Sequence, residues 1–275
     1  MIRLLSFCTT AVLLAITIVS CERQQVTDFI DSEYESRLSD LSDESVYEID
    51  QATLRTGSGS GACSWDDVFP ACATVTVSGS SYPKTVTVAY DACVSPGGHS
   101  RTGTLTIVLS DDLANIGATR TITYSGFGID DFTANGTRTL TRTGTTAAGE
   151  PVFDRVVDLT WNTPRGDLDR DFSGTVTWIS GFDTPACGDN VFEVSGSGTT
   201  SSDRGTVSST ILEPLRIDRP CGYITDGILQ ISGPLGSRSI DYGDGSCDDS
   251  ATVTTADGST FTIDLDEHRI RGRRR

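Results

Sequence analysis

Asp241, Asp244, Ser246, Asp248 and Asp249 crowd oxygen donors into one Gly-bearing stretch near the C-terminus. Oxygen ligands at alternating positions suit Ca²⁺, a hard cation that takes six to eight of them. The spacing departs from an EF-hand, with no Gly at loop position six and no bidentate Glu at position twelve. An Asp-Gly turn whose acids face water accounts for the same residues more simply. That turn is the expectation, with calcium at Asp241, Asp244, Asp248 and Asp249 the weaker alternative and no other cofactor implied. Asp66-Asp67 and Asp130-Asp131 are fainter acidic pairs.

Nucleophilic or acid–base catalysis finds little to work with. The chain has two histidines, His99 and His268. His99 lies in the loop sequence Pro96-Gly97-Gly98-His99-Ser100-Arg101, and spacing nominates neither a nucleophile nor an orienting acid for it. It reads as a loop histidine facing solvent. Trp65, Tyr90, Trp161, Trp178 and Tyr242 could form a stacking surface for sugars, but aromatics at strand positions are more often core. No catalytic residue is assigned, and the chain is expected not to be an enzyme.

The cysteines say more. They stand at 8, 21, 63, 72, 93, 187, 221 and 247, with no C-x-x-C pair, which disfavours zinc-ribbon and thioredoxin-like chemistry. Arg3 precedes an apolar run from Leu4 to Val19, and Ile18-Val19-Ser20-Cys21 then follows the pattern of a lipobox. An ordinary secretory signal is the alternative; a run of about 16 residues falls short of the ~20 a membrane-spanning helix needs. Cleavage before Cys21 removes Cys8, and acylation consumes Cys21. Six cysteines remain, an even number suited to pairing in an oxidising compartment. Facing residues in an antiparallel hairpin have a constant sum of numbers. A hairpin of 73–79 with 84–90, turning near Ser81-Tyr82, sets Cys72 nearly opposite Cys93 at its base. A second, of 227–233 with 237–243 and turning at Pro234-Leu235, sets Cys221 nearly opposite Cys247. Cys63–Cys187 is left by elimination.

Elements must position all of this. The 275 residues carry a formal net charge of −17, which repels phosphate backbones and argues against a nucleic-acid partner. Lys84 is the sole lysine. A salt-rich habitat and a GC-rich genome both lead to that. Residues 1–20 read as the signal peptide and 21–61 as an acidic tether. Ten acids from Glu22 to Asp50 face Arg23 and Arg37 alone. Val26, Phe29, Ile30, Tyr34, Leu38 and Leu41 recur near a 3.6 period, so the tether is read as partly helical, either docked or a solvated spacer. Ser45 with Glu48 fits a capping box. Gly57 to Gly61 marks a flexible boundary. Residues 62–267 are expected to form a disulfide-stapled β domain, and 268–275 a basic tail.

The β domain is legible as alternation. Thr74–Val77, Thr85–Val88, Thr104–Ile107, Thr121–Tyr124, Thr137–Thr143 and Thr175–Ile179 all have period two. Ile228–Ile231, Ala251–Thr254 and Thr260–Ile263 repeat it. Gly, Asn-Gly and Asp-Gly punctuate the runs. This predicts an all-β antiparallel meander of roughly 12–14 strands with one buried and one threonine-lined face, forming a sandwich or partly open barrel. Two related halves are suggested by echoes. Val77-Ser78-Gly79 through Cys93 matches Ile231-Ser232-Gly233 through Cys247, and Phe132–Thr137 matches Phe192–Ser197.

The stretch Asp241-Tyr242-Gly243-Asp244-Gly245-Ser246-Cys247-Asp248, followed by Ala251-Thr252-Val253, resembles the C-terminal motif of uncharacterised cell-envelope lipoproteins of Bacteroidota. The segments around Cys72 and Cys93 are similar to the N-terminal half of that family. The resemblance spans most of residues 70–265 and implies an envelope address, with no activity to transfer. The expectation is a lipid-anchored, non-catalytic protein at the outer membrane, acting as a structural or binding module for a glycan or protein. A carrier of an apolar ligand or lipid in a curved sheet is the alternative, and a hydrolase the least supported.

Overall fold

The computed structural model describes residues 72–94, 100–184, 188–234 and 236–265. They form thirteen strands. The first six are β1 (Ala73–Ser78), β2 (Lys84–Val94), β3 (Ser100–Leu109), β4 (Thr119–Ile129), β5 (Phe132–Thr145) and β6 (Pro151–Thr163). The next four are β7 (Gly166–Ser180), β8 (Val191–Ser202), β9 (Gly205–Asp218) and β10 (Tyr223–Gly233). The last three are β11 (Gly236–Asp244), β12 (Ser250–Thr254) and β13 (Thr260–Asp264). Each pairs antiparallel with the next, so sheet order is chain order. The meander is one continuous open sheet, with β1 and β13 at its two edges.

Register turns the alternation into two faces. Thr76, Thr87, Thr106, Thr123 and Thr137 occupy one cross-strand row from β1 to β5. The adjacent row runs Val86, Ile107, Ile122, Arg138, Val157, Phe172 on the opposite face, and all six are buried. Threonine suits a wet strand position because its β-branch favours extended backbone while its hydroxyl stays hydrated. The buried side chains of β2 to β12 join in one connected core.

Both hairpins expected from the sequence form. Ala73 faces Tyr90 and Ser78 faces Thr85, while Ile228 faces Asp241 and Gly233 faces Gly236. Cys221 and Cys247 are disulfide-bonded, with Cα atoms 5.6 Å apart. The bridge ties the β9–β10 turn to the β11–β12 loop. Closing a loop of 26 residues in this way stabilises by about 3 kcal/mol in the chain-entropy model. Cys72 is also in a disulfide. Its partner's side chain lies outside the described residues, as do Cys63, Cys187 and the side chain of Cys93. The signal peptide, the tether and the basic tail lie outside them too.

Two sequence signals have a different meaning from the one expected. Asn135-Gly136 and Asp226-Gly227 are not turns; they lie inside β5 and β10. Both sit beside register shifts, between Tyr124 and Phe127 on β4 and between Asp226 and Ile228 on β10. At the first, an extra residue leaves the Gly126 N–H out of the ladder, and Asn135 Oδ1 accepts it at 2.8 Å. Further shifts lie between Tyr90 and Cys93, Thr102 and Thr104, Trp178 and Ser180, and Val194 and Ser197. Each bulge bends its strand and increases the twist, so the sheet curls.

Candidate functional site

Alternation along β5 determines what the inner face of the sheet presents. In Arg138-Thr139-Leu140-Thr141-Arg142 the threonines point out, so both arginines share the inner face with Leu140. The same holds on neighbouring strands. Arg101 on β3 is 1% exposed, Arg120 on β4 3%, and Arg138 and Arg142 6% each. Arg155 on β6 alternates with buried Phe153 and Val157, and Arg170 on β7 with buried Leu168 and Phe172. Both arginines are half-buried.

The arginines are spaced so that no two face each other across strands. Arg120 faces Leu140, Leu140 faces Arg155, and Arg155 faces Gly174. Arg138 is flanked by Ile122 and Val157, and Arg142 faces Phe153. Like charges directly opposite would destabilise the sheet. Aromatic faces receive several of the guanidiniums. Arg155 Cζ is 4.3 Å from the Phe172 ring centre, Arg142 Cζ 5.3 Å from that of Phe153, and Arg101 Cζ 5.9 Å from that of Phe127. The ring quadrupole attracts the cation at such distances. Arg142 also donates to the Val152 carbonyl at 3.2 Å and to Thr145 Oγ1 at 3.0 Å. Burial lowers its pKa below the ordinary arginine value, yet arginine stays charged at neutral pH. Arg170 donates to Thr200 Oγ1 at 3.3 Å.

The acids of the same strands lie on the other side. Asp154 and Asp158 of β6, and Asp167, Asp169 and Asp171 of β7, are all exposed. Asp169 accepts from Thr160 at 2.9 Å and Asp167 from Asn162 at 2.6 Å across the outer face.

Arg120, Arg138, Arg155 and Arg219 line one cavity. Its apolar walls are Leu140, Val176, Trp178, Phe192, Val194 and Ile217. The Trp178 ring is fixed by its Nε1–H donating to Asn190 Oδ1 at 3.1 Å. It stands edge-on to Phe182 at 5.0 Å and against Phe192 at 4.8 Å. In a flat sheet β4 and β9 would lie about 24 Å apart at normal strand spacing. One cavity touching residues from both shows how far the sheet curls. Counted out to its solvent-filled mouth it measures about 400 Å³, and the part that the centre of a water molecule can reach is about 30 Å³. It is an open cleft with room for about two waters within. A guanidinium beside apolar walls can hold a carboxylate or phosphate by paired charge-assisted hydrogen bonds while the walls take up carbon.

The acidic residues singled out in the sequence do not converge. Asp241 Oδ1 accepts from Gly243 N–H at 3.0 Å, and Asp244 Oδ1 from Ser246 N–H at 3.1 Å. Asp248 Oδ1 accepts from the Ser250 N–H and hydroxyl at 2.9 and 2.8 Å. Each carboxylate is taken up by the backbone two residues ahead, Asp241 within β11, and Asp249 is exposed beside them. Hydrogen bonds from Ser246 lower the Asp244 pKa. Among the described residues no three His, Cys, Asp or Glu side chains group as metal ligands would. Asp130 and Asp131 form the β4–β5 turn, where Asp130 Oδ1 accepts the Ser100 N–H at 2.9 Å. Tyr90, Trp161, Trp178 and Tyr242 are buried, so they are core and make no exposed stacking platform. Cys21, Trp65, Asp66, Asp67, His99 and His268 lie outside the described residues.

The inward arginines are what the sequence reading passed over. The signal was there: Thr-Arg-Thr at 119–121, 137–139 and 141–143 puts a cation where the period calls for Val or Ile. No protein-family model, curated protein or solved structure matches this chain. Among the described residues no helix is long and apolar enough to cross a membrane.

Proposed function

We propose that this chain is a lipid-anchored, non-catalytic binding protein of the bacterial cell envelope. It is held at the outer membrane through Cys21, and its concave face takes a ligand bearing carboxylates or phosphates. The envelope address comes from the Ile18-Val19-Ser20-Cys21 motif and the resemblance to Bacteroidota lipoproteins. The binding reading is carried by one observation. A chain of net charge −17 turns Arg120, Arg138 and Arg155 inward beside a cleft, while the aspartates of β6 and β7 face outward. An acidic ligand at the cleft would meet guanidiniums beside apolar walls, a pairing suited to a carboxylate or phosphate carried on carbon. The alternative, a carrier of an apolar ligand, calls for an enclosed and mostly apolar cavity, whereas this cleft is open and lined by four arginines.

The test is titration of the full chain with an oligogalacturonate, a polyglutamate peptide and an uncharged oligosaccharide, read by tryptophan emission and calorimetry. The acidic probes should bind, and Arg155→Gln with Arg219→Gln should weaken them at least about tenfold, the effect of losing one charge-assisted hydrogen bond. Equal binding of the uncharged sugar, or indifference to the arginine substitutions, would remove the reading.

A further inference from the structure

We infer that β1 is where two copies of this chain join, edge to edge, into one continuous sheet across a two-fold axis. The strand count creates the need. Strands of an antiparallel meander alternate in direction, so β1 and β13 of thirteen run the same way. Curling cannot bring them together antiparallel, and both stay edges. An edge strand presents a row of N–H and C=O groups to any chain able to pair with them.

The two edges are guarded differently. Proteins blunt an edge with charge, proline, a bulge or a very short strand. β13 is five residues long, ends in the exposed Asp264 and follows a turn holding the exposed Asp257. It leaves Phe261 half-covered, but those acids oppose a second acidic copy. β1, Ala73-Thr74-Val75-Thr76-Val77-Ser78, has no charge, no proline and no glycine. Its register with β2 is unbroken along its whole length. Among the described residues no strand lies on its other side. An uncharged, β-branched run left bare in this way recruits other chains.

The surroundings of β1 say which chain fits. Its outer-face neighbours are Thr85, Thr87 and Ala89 of β2, then Thr104, Thr106 and Val108 of β3. None is charged. Copies of a chain with net charge −17 repel each other, most of all through faces such as the aspartate-bearing one of β6 and β7. The β1 edge lets two copies meet without opposing like charges. The inner face adds an apolar contribution. Val77 faces the fully buried Val86, yet is itself 46% exposed. The core row runs out to the edge and stops half-covered.

Symmetry fixes the register. Facing residues of two antiparallel strands have a constant sum of numbers. Both inner faces stay on one side only if valine faces apolar residues and threonine faces threonine. The register centred on Val75 does this along the whole strand. Val75 faces its own copy, Val77 faces Ala73 of the other copy, and Thr76 faces Thr74. One short strand pair makes a small interface, so the affinity belongs at the weak end, about micromolar.

Sedimentation of the full chain in excess mild detergent tests this. The parent should be a dimer with a Kd of about micromolar order. Thr74→Lys with Thr76→Lys sets lysine opposite lysine across the axis, and the Kd should rise at least about tenfold. Thr74→Glu with Thr76→Lys sets glutamate opposite lysine, and the Kd should return to within about threefold of the parent. Both positions are exposed on the wet face, so all three chains should fold alike, as matching near-ultraviolet circular dichroism would show. A parent still monomeric at about 100 μM would refute the proposal. So would dimers indifferent to both double substitutions, or weakened equally by the two. Open-ended oligomers would mean that β1 pairs with β13 of the next copy, which overturns the two-fold.

Discussion

A guanidinium loses more hydration on burial than any apolar side chain, so its place on the inner face has to be maintained by its neighbours. Arg155 has the Phe172 ring at 4.3 Å, and Arg142 has Phe153, Val152 and Thr145. These contacts help to make the cations tolerable on the inner face. The turn aspartates work in the opposite way. Asp244 and Asp257 are fully exposed, and hydrogen bonds lower their pKa: those from Ser246 act on Asp244, and those from Thr255 and then Ser259 on Asp257. A carboxyl whose folded pKa lies below its unfolded one stabilises the fold above the unfolded value, about 3.9. That contribution disappears as pH falls through the lowered folded value. Asp244→Asn with Asp257→Asn should therefore be less stable than the parent at neutral pH, and the gap should close below about pH 4. Urea midpoints across that range check it. A gap that stays constant with pH would mean that the carboxylate charge contributes nothing to these turns.

At the scale of elements, strand existence was readable and strand length was not. Thr137–Thr143 marks β5, but the strand runs Phe132–Thr145 because Asn135-Gly136 continues it through a bulge. Asn-Gly favours a hairpin only where nothing else accommodates its backbone. Here Gly136 adopts φ +123° within the strand. That choice depends on β4 and β6 and cannot be seen locally. Gly174 is a second such position. It faces Gly196 across β7 and β8, and a Cβ there would overlap the Ser195 carbonyl and crowd the Gly196 Cα and the Phe172 ring. Backbone cannot step aside as a flexible side chain can. Gly174→Ala should cost about 3 kcal/mol, the upper part of the range for overpacking. In a β domain of this size that lowers the melting temperature by about 6–12 °C. Gly144→Ala is the matched control, since Gly144 has no atom within 4 Å of the added Cβ and no positive φ. It should be neutral or slightly stabilising. Equal effects of the two substitutions would show that the close approach of β7 and β8 at Gly174 is not needed.

At the scale of the whole molecule, the fold class followed from periodicity, while the site depended on where residues far apart in sequence come to lie. Arg120 and Arg219 are 99 positions apart, and only the curl of the sheet puts them on one cleft. The sequence could have revealed the inward arginines through the Thr-Arg-Thr alternation, but not that they share a cavity. Their placement also shapes how the protein meets a membrane. Aspartates facing out and arginines facing in leave a surface that anionic lipid headgroups repel. On the envelope reading proposed above, attachment comes from the N-terminus. Multiple acyl chains at Cys21 would supply it, because each buried CH₂ contributes about 0.8 kcal/mol. Cys21→Ser should thus accumulate as uncleaved precursor without the acyl mass. The parent should stay membrane-bound through high-salt washing, since its anchor is apolar. Fractionation with mass measurement of the N-terminus decides it. Normal processing and membrane retention of Cys21→Ser would mean that a plain signal peptide and some other contact place this domain in the envelope.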